Sequence, residues 1–191
     1  APVQLGVKKV SINGALQVVS QYGIGVVNTG AARKRAPSPV VEITYTGFPS
    51  TTLPMMCETY EVKNIASRPL TVAVPEFVQK AKTDPAKGVD GAYIIQAEIY
   101  GNGTYTIEPG KSITFGAAFQ AYREKNEKAI TPDVKAEYAK RMAYVKNSID
   151  GSLVLETPEK VIDTEFRFAK IRASESIYRT KGGLMHGPGG A

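Results

Sequence analysis

The chain has 191 residues, of which 42% are hydrophobic, and this is enough for one domain with a substantial core. A single cysteine, Cys57, excludes an intrachain disulfide and any cysteine-based metal cluster. The net charge is +6, but the compact basic run at positions 33–35 is too short to bind a nucleic-acid backbone strongly. No apolar run reaches the length of a membrane-spanning helix, so no membrane span is predicted.

The first predicted strand covers residues 2–12 and holds two apolar sets in opposite phase. Lys8 and Lys9 lie where the alternation of apolar residues changes phase. One extra residue between two alternating halves predicts a β-bulge at this point. The apolar residues are Val3, Leu5 and Val7 in the first set and Val10 and Ile12 in the second. Each would gain about 1.5–3 kcal/mol on burial, either in its own sheet or in that of a neighbouring subunit.

Two further strands, at residues 15–27 and 40–46, are predicted after a turn at Asn13-Gly14. The stretch 57–77 then predicts an antiparallel hairpin, because apolar side chains alternate on both sides of a turn rich in Asn, Ser and Pro. The apolar face of this hairpin includes Tyr60, Val62, Leu70 and Val72. A hairpin with one apolar face needs an opposing sheet to cover it.

The second half of the chain predicts one helix among further strands. Residues 78–91 are polar and predict a loop, and strands are expected at 92–100, 104–108 and 112–122. Residues 131–149 predict an amphipathic helix, with Thr131 as N-cap and Pro132 in the first turn. Alternating residues then predict strands at 152–156 and at 160–173.

These elements together predict an all-β fold, a jelly-roll or immunoglobulin-like β-sandwich with one amphipathic helix. Three regions are expected along the chain. Residues 1–14 form an N-terminal strand that is a candidate for donation to a neighbour, and residues 15–174 form the sandwich with helix 131–149. Residues 175–191 form a Gly-rich tail that is not expected to fold by itself.

The sequence predicts no catalytic residues, no cofactor and no metal site, so the chain is not expected to be an enzyme. His186 is the only histidine, and it lies in the tail, which argues against a histidine-based triad. The segment 109–112 lacks the first glycine of a phosphate-binding loop and precedes a strand. Asp163 and Glu165 are expected on a solvated strand face. Asn102 begins a glycosylation sequon, which would be used if the chain is exported.

Two segments carry a resemblance to a known group of proteins. Residues 60–72 contain Tyr-Glu-Val-Lys-Asn and Arg-Pro-Leu-Thr-Val, and residues 107–115 read Ile-Glu-Pro-Gly-Lys-Ser-Ile-Thr-Phe. This succession of strand, turn, strand, Pro-Gly and strand resembles the TasA-like biofilm fibre proteins and the archaeal bundling pilins, over roughly a third of the chain. The resemblance implies a jelly-roll subunit whose N-terminal segment inserts into the next subunit of an extracellular filament.

The leading hypothesis is therefore a structural subunit of a homopolymer, a pilus or biofilm fibre at the cell surface. Its partners would be further copies of itself and neighbouring filaments. The five apolar residues of the first strand would enter a groove on a neighbour, and Tyr60, Val62, Leu70 and Val72 would line that groove.

Two alternatives remain open at this point. In a viral jelly-roll coat protein of a virion, Ala1 would follow a removed Met and residues 33–35 would face nucleic acid. In a monomeric ligand-binding sandwich, loop tyrosines such as Tyr22, Tyr100 and Tyr105 would form the site. A signal peptide upstream of Ala1 would favour the fibre, and a start codon directly before it would favour the coat.

Overall fold

The computed structural model describes residues 2–24, 38–88, 90–180 and 182–187. The fold is mostly β, with a large antiparallel sheet and two helices, which confirms the prediction of a β-rich protein. The chain divides into two compact units, Ala1–Arg141 and Met142–Ala191.

The first unit contains the long strands of the protein. Those described are β1 Pro2–Ile12, β2 Leu16–Ile24, β3 Pro39–Pro49, β4 Met55–Asn64, β5 Leu70–Val74, β6 Val78–Lys82, β7 Tyr93–Tyr100, β8 Gly103–Ile107 and β9 Ser112–Arg123. Seven of them form one antiparallel sheet in the order β1-β2-β3-β4-β9-β7-β6, and β5 pairs with β8 in a separate two-stranded sheet.

A helix follows the strands, and the second unit continues from it. The elements are α1 Val134–Tyr144, a π-helical turn at Val145–Asp150, α2 Lys160–Glu175, β10 Ile177–Thr180 and β11 Gly183–His186. Within the second unit, the guanidinium of Arg167 donates to the carboxylate of Asp150 at 2.7 Å, which ties α2 to the π-helical turn. Strands β10 and β11 form an antiparallel hairpin.

The bulge predicted in the first strand is confirmed. The pairing of β1 with β2 shifts register between Val7 and Lys9, and a second shift lies between Gln4 and Gly6. Because of the first shift, Val7 lies opposite Ser20 and Val10 lies opposite Val18. Residues opposite each other share a face, so the bulge brings Val7 onto the same side of the sheet as Val10 and Ile12, which lies opposite Leu16.

The large sheet has two different faces, each marked by a row of residues across neighbouring strands. One row consists of Val18, Tyr45, Tyr60 and Phe115, and we call its side the groove face. The other row consists of Phe48, Cys57 and Ala118, and we call its side the helix face. The expectation that Cys57 is a small buried residue is confirmed, since the side chain has no exposed surface.

Helix α1 covers the helix face. Val134 joins the core cluster of Phe48, Cys57 and Ala118, and the ring of Tyr138 packs on that of Phe48 at a centroid distance of 5.2 Å. The helix begins later than predicted. Asp133, and not Thr131, caps it, because the carboxylate of Asp133 accepts from the backbone N–H of Ala136 at 3.0 Å.

The prediction of a strand at 160–173, and with it the prediction of a single helix, is wrong. This segment is helix α2. The alternation of Ile162, Thr164, Phe166 and Phe168 suggested a strand, but Ile162 and Phe166 are also four residues apart, which suits a helix. The first turn of the helix is joined to the segment before it by a contact that alternation does not reveal, since the carboxylate of Asp163 accepts from the backbone N–H of Thr157 at 2.8 Å.

The predicted hairpin of residues 57–77 is also corrected. Both of its strands form, but β4 pairs with β3 and β9, whereas β5 pairs with β8. The turn between them therefore carries the chain from the large sheet to the small one. Strand β4 buries Cys57 on one face and Val62 on the other, and a strand with two apolar faces belongs in the middle of a sheet.

Smaller differences concern exposed segments. Residues 78–82, predicted as a loop, form edge strand β6, whose residues are all exposed; an edge strand rich in lysine lacks the apolar alternation that marks a strand in the sequence. The predicted strand at 152–156 does not form. The tail, which was not expected to fold by itself, contains the β10–β11 hairpin, where Gly183 takes a φ of 119°.

Candidate functional site

The first unit has an open apolar groove beside β5, which we call the β5 groove. Its volume is about 570 Å³. One side is the groove face of the large sheet, contributed by β2, β3, β4 and β9, and the other side is β5 with the residue that follows it. The floor includes Tyr22, Val41, Ile43, Val62 and Phe115, and the wall is formed by residues 70–75.

The wall of the groove is a strand edge. Consecutive side chains of a strand point to opposite faces, and in β5 Leu70 and Val74 are buried while Thr71 and Ala73 are exposed. All of these residues nevertheless line the groove. This is possible only if the groove runs along the backbone of β5. Strand β5 pairs with β8 on one side, and no strand of the described ranges pairs with its other edge, so backbone donors and acceptors face the groove.

Asn64 holds β5 in this position. Its side chain has no exposed surface, and its amide nitrogen donates to the backbone carbonyls of Arg68 and Ile107, each at 2.8 Å. Its amide oxygen accepts from the backbone N–H of Ala66 at 2.9 Å. One side chain thus fixes the turn before β5 and the end of β8. The sequence marked Asn64 only as a turn residue, since its second partner lies 43 positions away.

A polar cluster lies in the aromatic row next to the groove. The carboxylate of Glu58 accepts from the hydroxyls of Tyr45, at 3.0 Å, and Tyr60, at 2.6 Å. Burial and the neighbouring Glu58 carboxylate raise the pKa of Tyr45 to about 12, and the same causes raise the pKa of Tyr60. Both hydroxyls therefore stay protonated and hold the carboxylate in place.

A second, smaller pocket of about 210 Å³ adjoins the groove on the same face. We call it the Glu58 pocket, because Glu58 lies in it among the rings of Phe77, Phe115 and Phe119. Phe115 lines both cavities. Within the described parts of the chain, no lysine or arginine is paired with Glu58, so its charge is met by the two tyrosine hydroxyls alone.

The residues predicted to line an acceptor groove lie close together. Val62, Leu70 and Val72 all line the β5 groove. Tyr60 lies beside it in the Glu58 pocket, where its ring stacks on Phe115 at a centroid distance of 5.0 Å. Their role in binding a neighbour stays a prediction, because a single chain shows the cavity and not its occupant.

The residues predicted for donation lie on β1, which pairs with β2 of the same chain at the edge of the large sheet. Their side chains are poorly covered there. Leu5, Val7, Val10 and Ile12 are 39%, 53%, 59% and 57% exposed, and the side chain of Val3 lies outside the described residues. The apolar surface of β1 is therefore left largely in water, although its backbone is paired.

The remaining predicted positions are scattered. The basic run at 33–35 lies outside the described residues. Asn102 is exposed between β7 and β8, where a glycan has room. Tyr22 lines the groove, whereas Tyr100 packs against the core cluster and the hydroxyl of Tyr105 donates to the backbone carbonyl of Gly101.

His186 lies in β11 beside Ser176 without the geometry of a catalytic pair. The hydroxyl of Ser176 is 3.1 Å from Nε2 and 3.4 Å from Nδ1 of His186. Because it is almost equally far from both nitrogens, the hydroxyl does not make a hydrogen bond directed at one of them. A base positioned for proton transfer needs one directed hydrogen bond.

Comparison with known proteins assigns this chain to no family. No family model matches this chain, and a search of curated proteins found no significant match. In the described residues, no helix combines the length and the apolar character needed to cross a bilayer.

Proposed function

We propose that this protein is the structural subunit of a homopolymeric extracellular filament, a pilus or biofilm fibre. In this proposal the two sheets of the first unit are an incomplete jelly-roll sandwich, and the N-terminal strand of a neighbouring copy completes it. The observation that carries the proposal is the β5 groove, in which an unpaired strand edge borders an apolar floor.

The chemistry of the groove favours a strand as its occupant. The floor and the inward side chains of β5 require apolar groups, and the β5 edge requires a partner that supplies N–H and C=O groups at the spacing of a strand. A small apolar molecule would satisfy the first requirement alone. An extended peptide with an apolar side chain at every second residue satisfies both.

Strand β1 has the composition that such an occupant needs. Residues 3–7 would lose their hydrogen bonds with β2, but they would form a ladder of similar length with the five residues of β5 in the neighbour, so the backbone terms of this segment nearly cancel. The gain then comes from apolar side chains. Burial of Leu5 and Val7 would contribute about 1.5–3 kcal/mol each before ordering costs.

Donation of β1 by one copy to the next produces a polymer. The contact is head-to-tail, because the donated strand and the accepting groove are different surfaces of the same chain. Contacts of this kind that do not close into a ring form a filament. The extracellular location rests on the resemblance to secreted fibre subunits and on the sequon at Asn102.

The proposal is tested by deletion of residues 2–12. We expect the full chain to form rods in electron micrographs and the truncated chain to remain monomeric in sedimentation. A synthetic peptide of residues 2–12 should bind the truncated chain saturably, and the same peptide with Leu5→Ser and Val7→Ser should not. Rods from the truncated chain would contradict the donor role of β1.

The deletion experiment also separates the alternatives. A monomeric full chain that binds apolar molecules in the groove, where Tyr22 lies, would support the ligand-binding module instead. Closed shells in the micrographs would support the coat protein.

A further inference from the structure

We propose that the donated strand β1 lies parallel to β5, with residues 3–7 beside residues 70–74 and Lys9 beside Glu76. This inference rests on the proposed function and adds to it the orientation and register of the donated strand. A parallel and an antiparallel strand can both occupy the same apolar groove, but they bring different charged residues together.

The lengths of the two segments set the register. Strand β5 has five residues, Leu70–Val74, with apolar side chains at the first, third and fifth positions. The segment 3–7 of β1 has the same pattern, with an apolar residue at every second position. Matching the two segments buries all three apolar side chains of the donor beside those of β5, and it can be done in either direction.

Charge distinguishes the two directions. In the parallel arrangement, Lys9 follows the matched segment on the side where Glu76 follows β5. In the antiparallel arrangement, Lys9 lies beside Arg68, which precedes β5. Opposite charges on adjacent strands stabilise their pairing and like charges destabilise it, so the parallel arrangement is favoured.

The charged residues around the groove also favour the parallel arrangement, because its two ends differ in net charge. At the beginning of β5, Arg68 and Lys111 both contact Asn64 through their backbone carbonyls, and Glu108 is the acidic residue in this region. At the end of β5, Glu76 is followed by Phe77 of the Glu58 pocket. The end of the groove beyond Val74 therefore carries two carboxylates, while the other end is net basic.

The Glu58 pocket suits the side chain that arrives there. Residues 5, 7 and 9 of an extended strand share a face, so Lys9 of the donor points in the same direction as its buried apolar residues. A lysine buries its aliphatic stem against apolar surface and keeps its ammonium group near an acidic partner. The rings of Phe77, Phe115 and Phe119 and the carboxylate of Glu58 provide both.

Engineered disulfides test the direction. Cys57→Ser removes the native thiol, and Gln4→Cys is then combined with either Thr71→Cys or Ala73→Cys. Gln4 lies beside Thr71 in the parallel arrangement and beside Ala73 in the antiparallel one. Adjacent strands are about 4.8 Å apart, which suits a disulfide, whereas an offset of two residues separates the Cα atoms by about 8 Å, which is too far.

We expect covalent ladders of subunits on non-reducing gels from the pair that includes Thr71→Cys. A ladder from the pair with Ala73→Cys would overturn the parallel orientation and leave the donor-strand filament in place. Ladders from neither pair, in material that electron microscopy shows to be assembled, would contradict the pairing of β1 with β5 and thus the proposed assembly itself.

Charge reversal provides a second measurement that needs no cysteine. Lys9→Glu should slow assembly at low salt at least several-fold, and the added change Glu76→Lys should restore the rate. In the antiparallel arrangement Lys9 would lie beside Arg68, so Lys9→Glu would replace a repulsion by an attraction and speed assembly instead. Faster assembly of Lys9→Glu, or no response to this change, would overturn the inference.

Discussion

At the scale of single residues, the groove depends on polar side chains that are held in apolar surroundings. Asn64 uses both ends of its amide to join the turn before β5 to the end of β8. Glu58 is held by two tyrosine hydroxyls in the aromatic row. A buried polar group is costly unless its partners are in place, so these contacts allow one arrangement of the groove and disfavour others.

The tyrosine contacts predict a dependence of stability on high pH. The pKa of Tyr45 is raised from 10.0 to about 12 in the folded chain, so the unfolded chain loses this proton first. The contribution of Tyr45 to stability is complete below pH 10 and is lost as the pH rises from 10 to 12. We expect Tyr45→Phe to reduce the fall in the free energy of unfolding between pH 9 and pH 11.

Urea unfolding followed by circular dichroism at the two pH values measures this effect. Lysines also titrate in this range, and the comparison of Tyr45→Phe with the native chain removes their shared contribution. An equally steep fall in both proteins would show that folding does not raise the pKa of Tyr45.

At the scale of elements, the contact between α1 and β9 depends on the absence of a side chain. A Cβ atom at Gly116 would lie 3.0 Å from two side-chain atoms of Val134, which is tighter than most packed contacts, so Val134 would have to shift. One of these atoms is the Cβ of Val134, so a change of rotamer would not relieve the contact and the helix itself would have to move. The glycine thus sets how closely the helix approaches the sheet.

We predict that Gly116→Ala lowers the free energy of unfolding by about 1–3 kcal/mol. The double variant Gly116→Ala with Val134→Ala should be more stable than the sum of the single effects, by about 0.5–3 kcal/mol. Chemical denaturation of the four proteins measures the coupling. Strict additivity of the two effects would mean that the contact between residues 116 and 134 does not limit how closely the helix packs on β9.

The helix also holds the turn from which β1 extends. The guanidinium of Arg141 is buried and donates to the backbone carbonyl of Gly14 at 2.6 Å. Ala15 packs against the core cluster on the helix face. The base of β1 is therefore fixed, whereas its first half is paired with β2 across two register shifts. This difference favours movement of residues 2–9 over movement of the whole hairpin.

At the scale of the whole molecule, the arrangement of edges and faces determines how copies can associate. The large sheet ends in β1 and β6, and both edges carry features that prevent pairing with another sheet. Strand β1 has two register shifts and two lysines, and β6 has lysines at positions 80 and 82. The proposed association through the β5 groove does not require either edge to pair in place, because β1 leaves its sheet to reach the neighbour and β6 takes no part.

A matched pair of substitutions on the small sheet tests this view of assembly. Val72→Glu places a carboxylate inside the groove, where burial of an apolar donor would leave the charge without water. Thr106→Glu places the same group on an exposed position of β8, outside the groove lining. We expect Val72→Glu to abolish rods while the chain stays folded by circular dichroism, and Thr106→Glu to leave the rods intact. Rods from both variants would show that the groove is not the site of assembly.

Local patterns in the sequence determined the β-rich class, the bulge at Lys8-Lys9, the helix beginning near Pro132 and the apolar character of Val62, Leu70 and Val72. These features depend on neighbours within a few positions, where periodicity and turn residues act directly. The alternation at 160–173 misled because the same residues also suit a helix face, and the contact between Thr157 and Asp163 joins positions six residues apart, which alternation does not reveal.

Only the tertiary structure decided which strands pair. Strands β4 and β5 are consecutive, yet they lie in different sheets, and the partner of β5 is β8, some 30 positions further on. Any apolar strand can pair with many others, and the choice depends on burying both faces of β4 and on satisfying the amide of Asn64 across 43 positions. The open edge of β5 follows from that choice, because a strand removed from the large sheet keeps a single partner.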